Sequence, residues 1–190
     1  MSTVDHAVAA QRAAVAGYTR TAVVLHWALV AAVFAQIGLG WYMTELPLGP
    51  ERTPFFTLHK SLGLTAALLI AARIGWRLTH PAPPLPAWLP AWQARAARVN
   101  HALLYACMMI MPVAGYVSAE FYKYPTRFWG YALPRWGWES ETLNSLFSGI
   151  HVYTSYVFVA LISLHVAAAV KHLLRGDGVF ERIVAWRRPD

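Results

Sequence analysis

What this chain most lacks is charge. Only 13% of its 190 residues are Asp, Glu, Lys or Arg, about half the share of an average soluble domain, and a soluble fold of this size needs charge of both signs over its surface. A soluble domain is therefore disfavoured, and an apolar content of 57% excludes intrinsic disorder. Acid is the scarcer sign: nine Asp and Glu stand against sixteen Lys and Arg, for a net charge of +7. A basic patch that binds nucleic acid needs a soluble scaffold, and the apolar runs leave none. No nucleic-acid partner is expected. Cysteine is nearly absent too. The single Cys107 sits inside an apolar run, which excludes a disulfide framework and any Cys-x-x-Cys-His attachment of c-type haem. It reads as a small core or lipid-facing residue.

What the chain does have is four long apolar runs. A helix needs about 20 mainly apolar residues to cross a hydrocarbon core about 30 Å thick, and residues 21–43, 58–78, 98–119 and 146–173 qualify. The first is too long for a removable signal peptide and has no cleavage-site context after it. The expected fold is all-α, an integral-membrane four-helix bundle over residues 18–184. A mobile tail over 1–17 precedes it and a short tail over 185–190 follows. Arg12, Arg20, Arg73, Arg77, Arg95, Arg98, Lys171, Arg175, Arg182, Arg187 and Arg188 fall on one side of the bilayer. Only Arg52, Lys60, Lys123, Arg127 and Arg135 fall on the other. Cation excess marks the cytoplasmic side, so both termini are expected in the cytoplasm. Residues 79–97 read as a proline-stiffened inner loop, and 120–145 as an outer loop whose eight aromatics cap the bundle.

Ionisable groups inside spans are costly and by default functional. Six of eight histidines lie there: His26, His59, His101, His151, His165 and His172. His151 and His165 are 14 residues apart, which is about 21 Å along a helix axis and only about 40° around it. One helix thus offers an imidazole to each leaflet on one face. Depth pairs His59 with His151 near the outer face and His26 with His165 near the inner face. Zinc recruits carboxylates, thiolates or further imidazoles, and the apolar parts of the spans hold no Asp or Glu. Bis-histidine haem needs only two neutral imidazoles and an apolar slot, so two b-type haems, with these four residues as axial ligands to iron, fit better. Six-coordinate iron favours electron transfer over oxygen chemistry, so no catalytic side chain is assigned. Gly38, Gly40, Gly63, Gly115 and Gly149 admit either a macrocycle or plain helix packing. His101 and His172 lie shallower at the inner end, where they fit either interfacial anchoring or hydrogen bonding to a quinone carbonyl. Arg73 and Arg77, one turn apart, fit positive-inside anchoring or the screening of an anionic ligand.

Taken in order, these motifs resemble the bacterial cytochrome b561 family, most closely its superoxide oxidase branch. The resemblance runs from Tyr18-Thr19-Arg20 and Leu25-His26-Trp27 through Leu58-His59-Lys60-Ser61-Leu62-Gly63 and Arg73-Ile74-Gly75-Trp76-Arg77. It continues with His101-Ala102-Leu103-Leu104-Tyr105 and Met111-Pro112-Val113-Ala114-Gly115-Tyr116, and ends with His151 and the stretch from His165 to Lys171-His172. It implies the same haem pairing, His26 with His165 and His59 with His151. It also implies a bacterial inner-membrane enzyme that oxidises superoxide at the periplasmic face. Electrons would reach ubiquinone near His101, His172, Arg73 and Arg77. Outer cations such as Lys60, Lys123, Arg127 and Arg135 would attract the anionic substrate. Two stretches depart from the family pattern, Leu173-Leu174-Arg175-Gly176 and Phe180-Glu181-Arg182-Ile183. Two other functions stay open at this point: an electron-transfer subunit serving a periplasmic dehydrogenase, and a haem-free transporter or proton relay built on the same histidines.

Overall fold

In a computed structural model of the chain the described residues are 17–184, so the expected tails over 1–17 and 185–190 lie outside them except for residue 17. Four helices dominate. They are α1 (Arg20–Glu45), α2 (Thr53–Thr79), α3 (Ala91–Glu120) and α4 (Glu141–Arg175). Each contains one of the four apolar runs and is long and apolar enough to cross a membrane. The protein is a multi-pass, all-α membrane protein.

Local chemistry sets the helix ends. The Thr19 hydroxyl accepts from Ala22 N at 3.3 Å to start α1, and Ser140 accepts from Leu143 N at 3.4 Å to start α4; each satisfies an otherwise unpaired amide. α2 stops at Thr79 because His80 precedes Pro81, which drives a residue out of the helical region. α4 stops at Gly176, left-handed with φ 58°, a conformation that glycine adopts without penalty. A short 3-10 turn, Phe180–Ile183, follows.

The helices run up, down, up, down. Arg73 Nη1 donates to Ala22 O at 3.1 Å and Gln36 Nε2 to His59 O at 3.1 Å, so α1 and α2 are antiparallel. Asn144 Nδ2 donates to Ser118 O at 2.8 Å and Lys171 Nζ to Gln93 Oε1 at 2.9 Å, so α3 and α4 are too. The end that holds the start of α1 and the finish of α4 is the termini end; the other is the cap end.

At mid-depth the four helices share one apolar cluster: Leu29 from α1, Ile70 from α2, Leu104, Cys107 and Met108 from α3, and Phe158 from α4. Cys107 is thus a core residue. Phe158 is the buried side chain of α4, seven residues from both His151 and His165, or about 10 Å along the axis from each. An aromatic plug therefore fills the middle of the bundle between the two histidine levels. Phe158→Ala should lower the unfolding free energy by about 3–5 kcal/mol, measurable as a drop in the thermal midpoint in detergent.

The connections correct three expectations. Helix α3 starts at Ala91, so the proline segment is only 80–90 rather than 79–97. The cap segment is 121–140 rather than 120–145 and contains a small hairpin, β1 (Arg127–Phe128) paired with β2 (Tyr131–Ala132). Its two-residue turn, Trp129–Gly130, has positive φ at both positions (47° and 93°), as tight hairpins of this length require. Trp129 tolerates that conformation because two bonds hold it to α2: its N–H donates to Ser61 Oγ at 3.1 Å and its indole Nε1 to Thr65 Oγ1 at 3.2 Å. Glu120, expected in the outer loop, is only 2% exposed and accepts from Trp136 N at 3.2 Å.

Candidate functional site

The bundle is not equally tight on all sides. Helix α4 packs closely along α3, and α1 along α2, but α4 makes no comparable backbone approach to α1 or α2. Imidazoles face one another across those gaps. His59 of α2 and His151 of α4 have ring centroids 6.1 Å apart, with planes at 80°. His26 of α1 and His165 of α4 are 6.4 Å apart, at 66°.

Those separations fit a shared metal. Two imidazole nitrogens bound linearly at about 2.0 Å each, with ring centroids about 1.1 Å behind them, place the centroids about 6.2 Å apart. The ring surroundings fit as well. His151 Nδ1 lies 2.8 Å from the Met111 carbonyl; a carbonyl can only accept, so Nδ1 carries the proton and Nε2 keeps a free lone pair. Metal-bound imidazoles are commonly fixed in this way. The ring reaches α3 backbone because residue 115 is glycine: a Cβ there would lie 3.0 Å from His151 Nδ1. Gly40 plays a milder part beside His59, where a Cβ would lie 3.4 Å from Cε1. The buried His59 Nδ1 has no hydrogen-bond partner among the described residues, an unpaired polar atom that costs stability. Of the other glycines read as haem-facing, Gly38 and Gly149 border nothing within 4 Å, and Gly63 faces Gln36. Among the described residues no cluster of three or more His, Cys, Asp or Glu could hold a bare metal ion. The donor set suits the axial positions of a planar macrocycle.

The termini end holds a cavity of about 210 Å³ lined by Tyr18, Ala22, Leu25, Arg73, Trp76, Arg77, His80, Arg98, His101 and Tyr105. That volume suits a single ring-sized headgroup. Three of the four residues expected near quinone, His101, Arg73 and Arg77, therefore meet at one cavity. The fourth does not line it: His172 bonds through Nδ1 to Asp177 Oδ2 at 2.7 Å, and Asp177 Oδ1 accepts from Val179 N. His101 is also not shallow. Its ring centroid lies 5.2 Å from that of His165, closer than a linear imidazole–metal–imidazole unit allows.

Sequence reasoning missed Tyr18, Trp76 and His80. Tyr18 precedes the first apolar run and is held by the C-terminal 3-10 turn: its N–H donates to Arg182 O at 3.1 Å, and the Arg182 guanidinium lies 5.4 Å from its ring centroid. Arg182 Nη2 also donates to the Pro83 and Pro84 carbonyls at 2.7 and 3.1 Å. Burial pulls the Arg182 pKa below its ordinary value, and Tyr18 pulls it back up. The variant stretch 180–183 thus clamps the cavity wall to the proline segment.

At the cap end, Arg135 Nη2 donates to Tyr122 O at 2.7 Å and Arg127 Nη1 to Gly130 O at 3.2 Å, while Lys123 Nζ lies 5.0 Å from the Tyr124 ring centroid. Carbonyls and rings hold these cations without cancelling their charge. Lys60 differs, being half-buried and paired electrostatically with Glu120. An open cavity of about 760 Å³ lined by Pro50, Thr53, Pro54, Thr57, Leu58, Ser61, Trp129 and Gly130 offers no titratable group.

Four membrane helices with facing imidazole pairs define a membrane cytochrome b, built for haem-based electron transfer across the bilayer. The model of the prokaryotic cytochrome b561 family matches residues 17–186, and the chain belongs to that family, whose members bind b-type haem. It is similar to cytochrome b561 homolog 2 of Escherichia coli (strain K12), with 26% identity over 175 residues, covering 87% of this chain and 89% of that one. It is also similar to cytochrome b561 homolog 1 of the same strain, with 23% identity over 180 residues, covering 90% of this chain and 98% of that one.

Proposed function

We propose that this protein is a superoxide:ubiquinone oxidoreductase of the bacterial inner membrane, with both termini in the cytoplasm. His59 with His151, and His26 with His165, each hold one b-type haem. The observation that carries the reading is the pair of imidazole–imidazole separations, 6.1 and 6.4 Å, at opposite ends of one bundle. The inner pair stands beside a ring-sized cationic cavity through the contact of His165 with His101.

Haem so held supplies one-electron exchange at iron. The chain's own residues do the rest. Lys123, Arg127 and Arg135, none of them in an ion pair among the described residues, present positive groups at the cap end that attract the superoxide anion locally. His151, fixed by its Nδ1 bond to Met111 O, keeps its lone pair directed to the slot. At the inner end His101 donates a hydrogen bond to a quinone carbonyl, and Arg73 and Arg77 stabilise negative charge as it develops there. The balance is two superoxide anions oxidised to two O₂, with one quinone taking two electrons and two protons to become quinol.

The test is direct. Purified protein should show a Soret band and reduced α-band and contain two haems per chain. Superoxide should reduce it, and a short-chain ubiquinone should reoxidise it. Haems that respond only to a periplasmic dehydrogenase would support the electron-transfer subunit instead, and absence of haem would leave the transporter reading. His101→Ala should keep both haems and slow reoxidation by ubiquinone by about 100-fold, the low end of what a positioned proton donor contributes; unchanged stopped-flow rates would remove His101 from the site.

A further inference from the structure

Spacing arguments give His80 no role, because it lies beyond the apolar runs. The fold brings it to the quinone cavity. We infer that His80 is the second proton donor of quinone reduction, linking cytoplasmic water to the cavity, an inference that rests on the ubiquinone reading above.

The placement follows from one proline. Pro81 forces His80 out of the helix, to φ −128° and ψ 85°. The ring folds back over Trp76, one turn earlier, with centroids 3.7 Å apart and planes within 4°. Its Nδ1 lies 2.8 Å from Thr79 Oγ1 and 3.3 Å from Trp76 O. The ring is therefore fixed through one face and one nitrogen, while Nε2 has no partner among the described residues and the residue is exposed. His80 lines the cavity at the membrane boundary, whereas His101 lies deeper, against His165.

The other polar groups of the cavity leave the task to imidazole. Facing His80 are Tyr18 ahead of α1, Arg73, Trp76 and Arg77 from α2, and Arg98, His101 and Tyr105 from α3. Among the described residues no carboxylate lines the cavity. Arginine does not release its proton in proteins, and a phenol is too weak an acid to serve near neutral pH. Imidazole both takes and gives a proton there. A quinone carries two carbonyls on opposite sides of its ring and needs two protons, and the cavity has two imidazoles at different depths. The two electrons come from two superoxide anions. One proton passes from His101. The other leaves His80 as an N–H bond breaks and a quinol O–H bond forms, and water then reprotonates the exposed ring.

Full-length protein, reduced under anaerobic conditions, should be mixed with short-chain ubiquinone while the α-band is followed. His80→Gln is expected to keep both haems and slow reoxidation by about 100-fold, and added imidazole should restore the rate. His80→Phe, which keeps the stack on Trp76, should be equally slow and also rescued. Wild-type rates in His80→Gln or His80→Phe overturn the assignment. So does a loss without imidazole rescue that tracks weakened quinone binding, since that marks a purely structural ring. Failure of ubiquinone to reoxidise even the wild-type protein overturns the acceptor reading and this inference with it, an outcome distinct from the others.

Discussion

Replacing His151 by alanine should leave a folded bundle with one haem instead of two. The substitution removes one of two facing imidazoles across a gap where the backbones of α2 and α4 do not approach closely, and no third His, Cys, Asp or Glu clusters there among the described residues to take its place. Pyridine-haemochrome quantitation should fall from two haems per chain to one. The pairing makes a sharper demand on a redox titration. His59→Ala and His151→Ala should delete the same spectral component, and His26→Ala and His165→Ala the other, because Phe158 and its neighbours fill the space between the levels. If all four variants lost one and the same component, or if His59→Ala lost the component that His26→Ala loses, the pairing would be wrong. His101 provides the contrast: it contacts His165 at 5.2 Å, yet its loss should cost no haem.

Gly115→Val should be nearly as damaging, although residue 115 carries no side chain and no chemistry. A Cβ there would lie 3.0 Å from His151 Nδ1 and 3.2 Å from Cε1, so the ring must move, and the first bond lost is the one from Nδ1 to Met111 O at 2.8 Å. That bond sets the tautomer. Losing such a partner typically weakens metal binding by 10–100-fold. The expected result is selective loss of the His59–His151 component during purification or under competition with an apo-haem acceptor protein. Gly149→Ala, where a Cβ would meet nothing within 4 Å, should retain both components. Equal retention in the two variants would show that the close approach of His151 to α3 is incidental to haem binding.

These predictions also mark how far a linear reading reaches. The four spans were legible because membrane crossing is a local property: enough consecutive apolar residues suffice, whatever they pack against. The levels of His26, His59, His151 and His165 were legible for a similar reason, since rise and rotation per residue are fixed in a helix. Loop ends were read less well. Pro90 starts α3 instead of continuing a loop, and the Trp129–Gly130 turn depends on Ser61 and Thr65, more than 60 residues away. His172 was placed near quinone by its end of the helix, but the left-handed turn at Gly176 brings Asp177 back to its ring. Depth counted along α3 alone puts His101 too shallow, because it takes no account of how α4 packs beside it and brings His165 to its ring.

By itself, then, the sequence determined the number of spans, the strong bias of its cations toward one end of them, and the presence of imidazoles at two levels, all of which depend on composition and helical period. Only the tertiary structure decided which rings face one another at 6.1 and 6.4 Å, which two glycines border them, and which side chains line the cavity at the termini end. Those features join residues far apart in the chain, and their distances are set by how four helices pack around Phe158 and hold α4 away from α1 and α2. His80 shows the difference in one residue. In the sequence it is a loop histidine before a proline; in the folded protein the same proline lays it across Trp76 at the mouth of the cavity.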